Sequence, residues 1–408
     1  MITKIFIRYI VYNVNRKASM EKTVVTICLL WLLLAASTLR MAGVGASFLQ
    51  AFSVSQQEAV QNSWSTRASM PSGMSGLGVA VVDGKIYAFG YNVTYEYDPV
   101  RDKWAKKRAM PTPRTCFAVA AYQNKIYVIG GYLVGKWGQA VGINEVYDPS
   151  TDRWETRKPM PTPRAQLDAN VVDGKIYLIG GRTGGPYSTV PINEVYDPAT
   201  DSWTTKAPIP YPVVEYASAV VDGRIYVIGG RDEFLRDMEV NFNQIYDPET
   251  DTWSFRAPIP VAVWQTAAGA TTGVFAPERI YVIGGLPKGE MEGTNLNQVY
   301  NPENNTWTFG APMPTPRLGL AVAVVDDVLY AIGGTWMALN PNSPIYAVNE
   351  QYIPIGYHGP PPSDTTPPPD NTPTPEPFPP LWVASAVAAA GISGAVLIVY
   401  FAKVKKKP

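Results

Sequence analysis

The stretch KIYVIGGYLVGKWGQAVGINEVYDPSTDRWETRKPMPTPR, residues 125–164, decides the fold, because its pattern returns 50 residues later as KIYLIGGRTGGPYSTVPINEVYDPATDSWTTKAPIP at 175–210. Each copy reads as an apolar run closing on Gly-Gly, a second run closing on Tyr-Asp-Pro, and a tryptophan a few residues on. A fixed period of this length marks a repeat architecture, and the period sets the fold before any single element does.

Working outward, Trp64, Trp104, Trp154, Trp203, Trp253 and Trp307 recur at gaps of 40, 50, 49, 50 and 54 residues. All but the first follow a Tyr-(Asp/Asn)-Pro turn, at Tyr97, Tyr147, Tyr196, Tyr246 and Tyr300. Glycine pairs stand at 130–131, 180–181, 229–230, 284–285 and 333–334, and the first repeat has Gly90-Tyr91 instead. Ahead of them, Val79–Val82 and Lys85–Phe89 flank Asp83-Gly84, a dipeptide suited to the positive φ of a tight hairpin. Each unit therefore predicts four strands, and near-continuous apolar strands predict burial on both faces. One such sheet buries both faces by stacking radially against its neighbours. The expectation is an all-β, six-bladed β-propeller over residues 47–357. Tyr352-Ile353-Pro354 lacks a following Trp while Trp64 is left over. The segment around Asn62–Met70 is thus expected to supply the outer strand of the last blade.

The combination of Gly-Gly, Tyr-Asp-Pro and Trp at these offsets resembles the Kelch-repeat family over residues 57–357. The resemblance implies a six-bladed propeller in which Gly-Gly and Trp serve packing. It also implies a ligand face formed by the loops leading into the innermost strand and the loops after Gly-Gly. Aligned internally, the inner-strand start carries Met74, Arg114, Arg164, Val213, Val263 and Arg317. Family members that bind acidic peptides imply a pocket role for Arg114, Arg164 and Arg317. Two residues on stand Gly76, Cys116, Gln166, Glu215, Gln265 and Gly319, and two further on Asp168 stands among Gly and Ala. Gln166, Asp168, Glu215 and Gln265 are therefore candidates too, with the alternative that an arginine pairs with Asp168 or Glu215 near the channel. The post-glycine loops add the aromatics Trp137, Tyr187 and Trp336.

Both ends read as membrane-related. Thr23–Ala36 is an apolar run of signal-peptide length, so residues 1–46 are expected to be a signal region, with Met20 a second candidate start. Residues 381–402 carry no charge over 22 residues and precede a lysine cluster at 403–408. They are expected to cross the membrane as a single helix with the lysines inside. Between body and helix, residues 358–380 form a proline-rich stalk of extended character. This tail also resembles the sorting tails of some archaeal and bacterial surface proteins, with permanent anchoring the favoured reading. Asn92-Val-Thr94 and Asn304-Asn-Thr306 match the glycosylation acceptor pattern.

Composition narrows the function. Lys+Arg and Asp+Glu balance at 34 each, against a nucleic-acid binder that neutralises phosphates. The single histidine, His358, lies beyond the last blade, so no metal or cofactor is expected, including the copper that galactose-oxidase-like relatives hold. Of two cysteines, Cys28 falls in the signal region, which leaves Cys116 with a buried structural role. The favoured reading is a cell-surface recognition or adhesion module taking an extracellular protein or glycan, without chemistry. The alternative is a metal-independent, sialic-acid-mutarotase-like enzyme, with Glu215 or Asp168 as acid–base and the arginines holding a carboxylate.

Overall fold

In a computed structural model, which describes residues 60–136, 138–234, 239–337, 340 and 342–360, each repeat folds into one four-stranded antiparallel sheet. Blade 1 is built from Gly78–Val82, Lys85–Gly90, Val93–Asp98 and Lys103–Lys107, innermost strand first. Its hairpin turns at Asp83 and Gly84, with φ of 50° and 69°. The second strands, such as Lys125–Ile129 and Lys175–Ile179, are buried on both faces after their first residue, as stacking between neighbouring blades requires. The outer strands are mostly exposed.

Six such sheets form the ring among the described residues. The last combines Ala321–Val325, Val328–Ile332 and Asn349–Ile353 with the N-terminal strand Ser63–Arg67. That strand pairs in register from Ser63 opposite Ile353 to Arg67 opposite Asn349. Blade 6 is thereby assembled from both ends of the domain, which leaves no open edge between first and last blades.

The repeated aromatics latch blade to blade. Nε1 of each of the six tryptophans donates to a carbonyl just past the outer strand of the preceding blade: Trp104 to Ala68, Trp154 to Arg108, Trp203 to Lys158, Trp253 to Ala207, Trp307 to Ala257 and Trp64 to Ala311. The glycine pairs let the next blade approach. The Gly131 amide donates to the Arg164 carbonyl at 2.9 Å, and a Cβ on Gly130 would lie 2.4 Å from that oxygen. Gly334 repeats the contact with the Met74 carbonyl across the first and last blades.

Alternation of strands fixes two faces. Inner-strand starts and post-glycine loops share one; the Asp-Gly hairpins and Tyr-Asp-Pro turns share the other. Both chain exits lie on the second face. The Gln61 amide donates to the Tyr357 carbonyl at 2.9 Å, and the His358 amide donates to Phe275 O at 2.8 Å in the blade 5 hairpin loop. Residues 1–59 and 361–408 lie outside the described residues, and with them the expected signal region, transmembrane helix and basic tail and nearly all of the expected stalk.

Candidate functional site

The six aligned positions two residues after the arginine position meet at the channel mouth. Gly76, Cys116, Gln166, Glu215, Gln265 and Gly319 all adopt left-handed backbone, with φ between 50° and 62°. In this conformation each amide reaches the carbonyl of the equivalent residue in the preceding blade. Gly76 donates to Gly319, Cys116 to Gly76, Gln166 to Cys116, Glu215 to Gln166, Gln265 to Glu215 and Gly319 to Gln265, at 2.8–3.1 Å. The result is a closed circle of six backbone hydrogen bonds around the axis. Four non-glycine residues hold a conformation that costs about 1–2 kcal/mol each, which ties side chains of chosen chemistry to the rim.

Above this circle opens a cavity of about 820 Å³, within the range of ligand sites. Gln166, Asp168, Glu215 and Gln265 all line it, so the structure brings these four candidates together. Gln166 and Gln265 both donate through Nε2 to Oε1 of Glu215, at 2.5 and 2.8 Å. Glu215 Oε2 and Gln166 Oε1 are buried and without a hydrogen-bond partner. Burial raises the Glu215 carboxyl above its ordinary range, against the opposing effects of the Gln265 amide and the positive charges of Arg182 and Arg231. Asp168 accepts from Ser218 Oγ at 3.1 Å, and burial pushes it up to about 6. The walls are largely apolar, with Leu77, Phe117, Leu318, Leu320 and Met337 prominent.

The arginines are elsewhere. Arg114, Arg164 and Arg317 are each 0% exposed and none lines the cavity. Arg114 donates to the Gly130 carbonyl at 2.7 Å and to Glu145 Oε2 at 2.7 Å. Arg164 meets Gly180 O and Glu194, and Arg317 meets Ala331 O and Glu350. Each guanidinium fills the end of its own blade, and burial lowers its pKa against the pull of its glutamate. The expectation that they face a ligand is corrected, and so is the alternative pairing with Asp168 or Glu215. The partner is the glutamate of the Asn-Glu dipeptide that opens the third strand. An internal signal points to it. Where the arginine is Val213 or Val263, the glutamate position holds Gln244 or Gln298; where it is Met74, the position holds Tyr95.

Among the loop aromatics, Tyr187 is 62% exposed, donates its amide to Glu233 Oε2 and does not line the cavity. Trp336 is half-buried and likewise outside the lining, though its neighbours Thr335 and Met337 belong to it. Trp137 lies outside the described residues. Asn92 and Asn304 are exposed, but Thr94 is fully buried in its strand. Sequence reasoning missed the ion pair of Arg182 with Glu233 at 2.7 Å and the stacking of Arg231 over Trp264 at 4.3 Å. Among the described residues, no group of three or more His, Cys, Asp or Glu is placed to hold a metal ion.

A family model, the KLHDC2/KLHL20/DRC7 Kelch-repeats domain, matches residues 91–230 and 147–334, together more than half of the chain. The chain belongs to the Kelch-repeat β-propeller family. Kelch-like ECH-associated protein 1B of Danio rerio is 39% identical over 67 residues, 16% of this chain and 11% of that protein. Human Kelch-like protein 15 is 38% identical over 61 residues, 14% of this chain and 10% of that protein. Kelch-like protein terF of Aspergillus terreus is 42% identical over 60 residues, 14% of this chain and 13% of that protein. The matched segments thus span roughly a tenth of each of these relatives' lengths. The solved structure of YjhT superposes with a TM-score of 0.60 at 18% identity, covering 70% of this chain and 96% of that one. That likeness is one of fold.

Proposed function

We propose that this Kelch propeller is a cell-surface recognition module that binds an extracellular protein or glycan in the cavity at its channel mouth. The observation that carries the reading is the rim itself: buried acceptors at Gln166 and Glu215 left without partners inside a cavity of ligand size. The cavity also opens on the face opposite the one from which both chain ends leave the propeller. The enzymatic alternative, resembling sialic-acid mutarotases, assigned the arginines to a substrate carboxylate. Those arginines are consumed inside the blades, so binding without chemistry is the better-supported reading.

A combined glycan and peptide array on the purified protein tests this. Thr335→Trp, which puts an indole into the cavity lining, serves as control. A ligand retained by the parent and lost by this folded variant is expected. Ligands insensitive to it would place recognition elsewhere.

A further inference from the structure

The floor of the cavity gathers hydrogen-bond acceptors of Gln166, Glu215 and Asp168. Each of its two side-chain amides, Gln166 and Gln265, commits one Nε2–H to Glu215 Oε1. Two acceptors there lack a protein donor, Gln166 Oε1 and Glu215 Oε2, and the Asp168 carboxylate lines the same cavity. Gln166 is only 8% exposed, so water does not freely satisfy its oxygen. Among the described residues, no lysine, arginine or histidine lines the cavity. Arg182 is engaged by Glu233, and Arg231 lies over Trp264. Their charges act on Glu215, whereas among the described residues no basic side chain acts on Asp168. A sugar hydroxyl both donates and accepts, whereas an ammonium or guanidinium group only donates. A carboxylate buried without a cation is costly, and a cation placed against it relieves that cost.

Building on the recognition reading above, we propose that the cavity takes a lysine or arginine side chain of a partner protein. Its charged head would meet Gln166, Glu215 and Asp168, and its aliphatic stem would lie against Leu77, Leu320 and Met337. A basic side chain suits this division because it carries an apolar stem and a charged tip.

The test uses the full-length protein in detergent and four Gly/Ser peptides that differ at one central position: lysine, arginine, norleucine or glutamate. Binding is read by ligand-observed NMR. The lysine and arginine peptides should bind at least tenfold more tightly than the norleucine peptide, which keeps the stem and loses the charge. Asp168→Asn and Glu215→Gln, with melting temperatures retained, should each remove most of that preference. Equal binding of lysine and norleucine, or no binding of either at millimolar concentration, overturns the inference. The lysine–norleucine comparison needs no variant, so it stands even if neither substitution folds. A glycan or acidic ligand that Thr335→Trp displaces would overturn the cationic inference while leaving the recognition pocket in place. If no ligand of any class responds to Thr335→Trp, both readings fall.

Discussion

The hydroxyl of Tyr352 donates to Oδ1 of Asn62 at 2.8 Å, joining the last repeat to a residue 290 positions earlier. The same bond occurs inside single repeats between Tyr97 and Asp102, Tyr147 and Asp152, Tyr196 and Asp201, Tyr246 and Asp251, and Tyr300 and Asn305. In every case the acceptor also takes an amide just past the preceding outer strand, here Ala311 at 2.6 Å. Asn62 therefore completes the repeat that Tyr352-Ile353-Pro354 leaves unfinished, and the ring closes with the chemistry of its own interior.

Removing that closure should destabilise the whole propeller. Asn62→Ala strips the buried Tyr352 hydroxyl of its acceptor and leaves the exposed Ala311 amide to water, at about 1–3 kcal/mol. Trp64→Ala loses the stacking on Tyr352 and the bond to Ala311, at about 3 kcal/mol. Deletion of residues 47–70 should lower the melting temperature further still. Denaturation of the three variants checks this, and a deletion that melts with the parent would show that this strand is not the closing element.

The arginine–glutamate pairs carry a second prediction. Truncating one partner strands the other in the blade, so Arg114→Ala or Glu145→Gln should each cost about 3–5 kcal/mol. Lys106→Ala, at an exposed position, should be near neutral. Blades 4 and 5 show an alternative pair, Val213 with Gln244 and Val263 with Gln298, each glutamine bonded to backbone of residue 211 or 261. Arg114→Val combined with Glu145→Gln should therefore recover much of the loss. Chemical denaturation of these variants and of Arg114→Val alone would reveal it, and strictly additive losses for Arg114→Val and Glu145→Gln would refute the coupling.

The fold was legible because six copies of one pattern repeat, and because a leftover Trp64 matched a missing one after Tyr352. The inner-strand alignment also found the residues of the hydrogen-bonded circle. What it could not show was which side of the strand start faces the channel. Arg114 and Cys116 are two residues apart, but the left-handed turn at Cys116 puts the thiol by the rim and leaves the guanidinium in the blade. That turn is a tertiary effect, set by a bond to the neighbouring blade at Gly76. The arginine's partner was recoverable in principle, since Glu, Gln and Tyr track Arg, Val and Met from repeat to repeat.

Left-handed backbone at Cys116 makes its own prediction. Glycine tolerates φ of 55°, whereas a β-branched residue does not. Cys116→Gly should stay within about 1 kcal/mol of the parent, and Cys116→Val should lose about 2 kcal/mol or more. Equal stability of the two variants would mean that the circle does not constrain this position.

Membrane topology is tested on intact cells. Added protease should release the propeller and leave the lysine tail at 403–408 protected. A protected propeller would refute the proposed orientation.

Asp168 ties the cavity to pH. Burial pushes its carboxyl up to about 6 from the ordinary 3.8, so the folded state holds this proton more tightly than the unfolded chain. The resulting stabilisation is fully present below about pH 4 and is lost as pH rises through about 6. Above that, the ionised carboxylate carries a penalty of about 3 kcal/mol at most, from about 1.4 kcal/mol per unit. Asp168→Asn keeps the shape and the contact with Ser218 while removing the charge. The variant should therefore be more stable than the parent at pH 7–8, with the advantage shrinking towards pH 4. Urea denaturation of both proteins across that range measures the difference directly. A difference independent of pH, or a variant less stable at pH 7, would show that Asp168 is not a desolvated carboxylate without a cation.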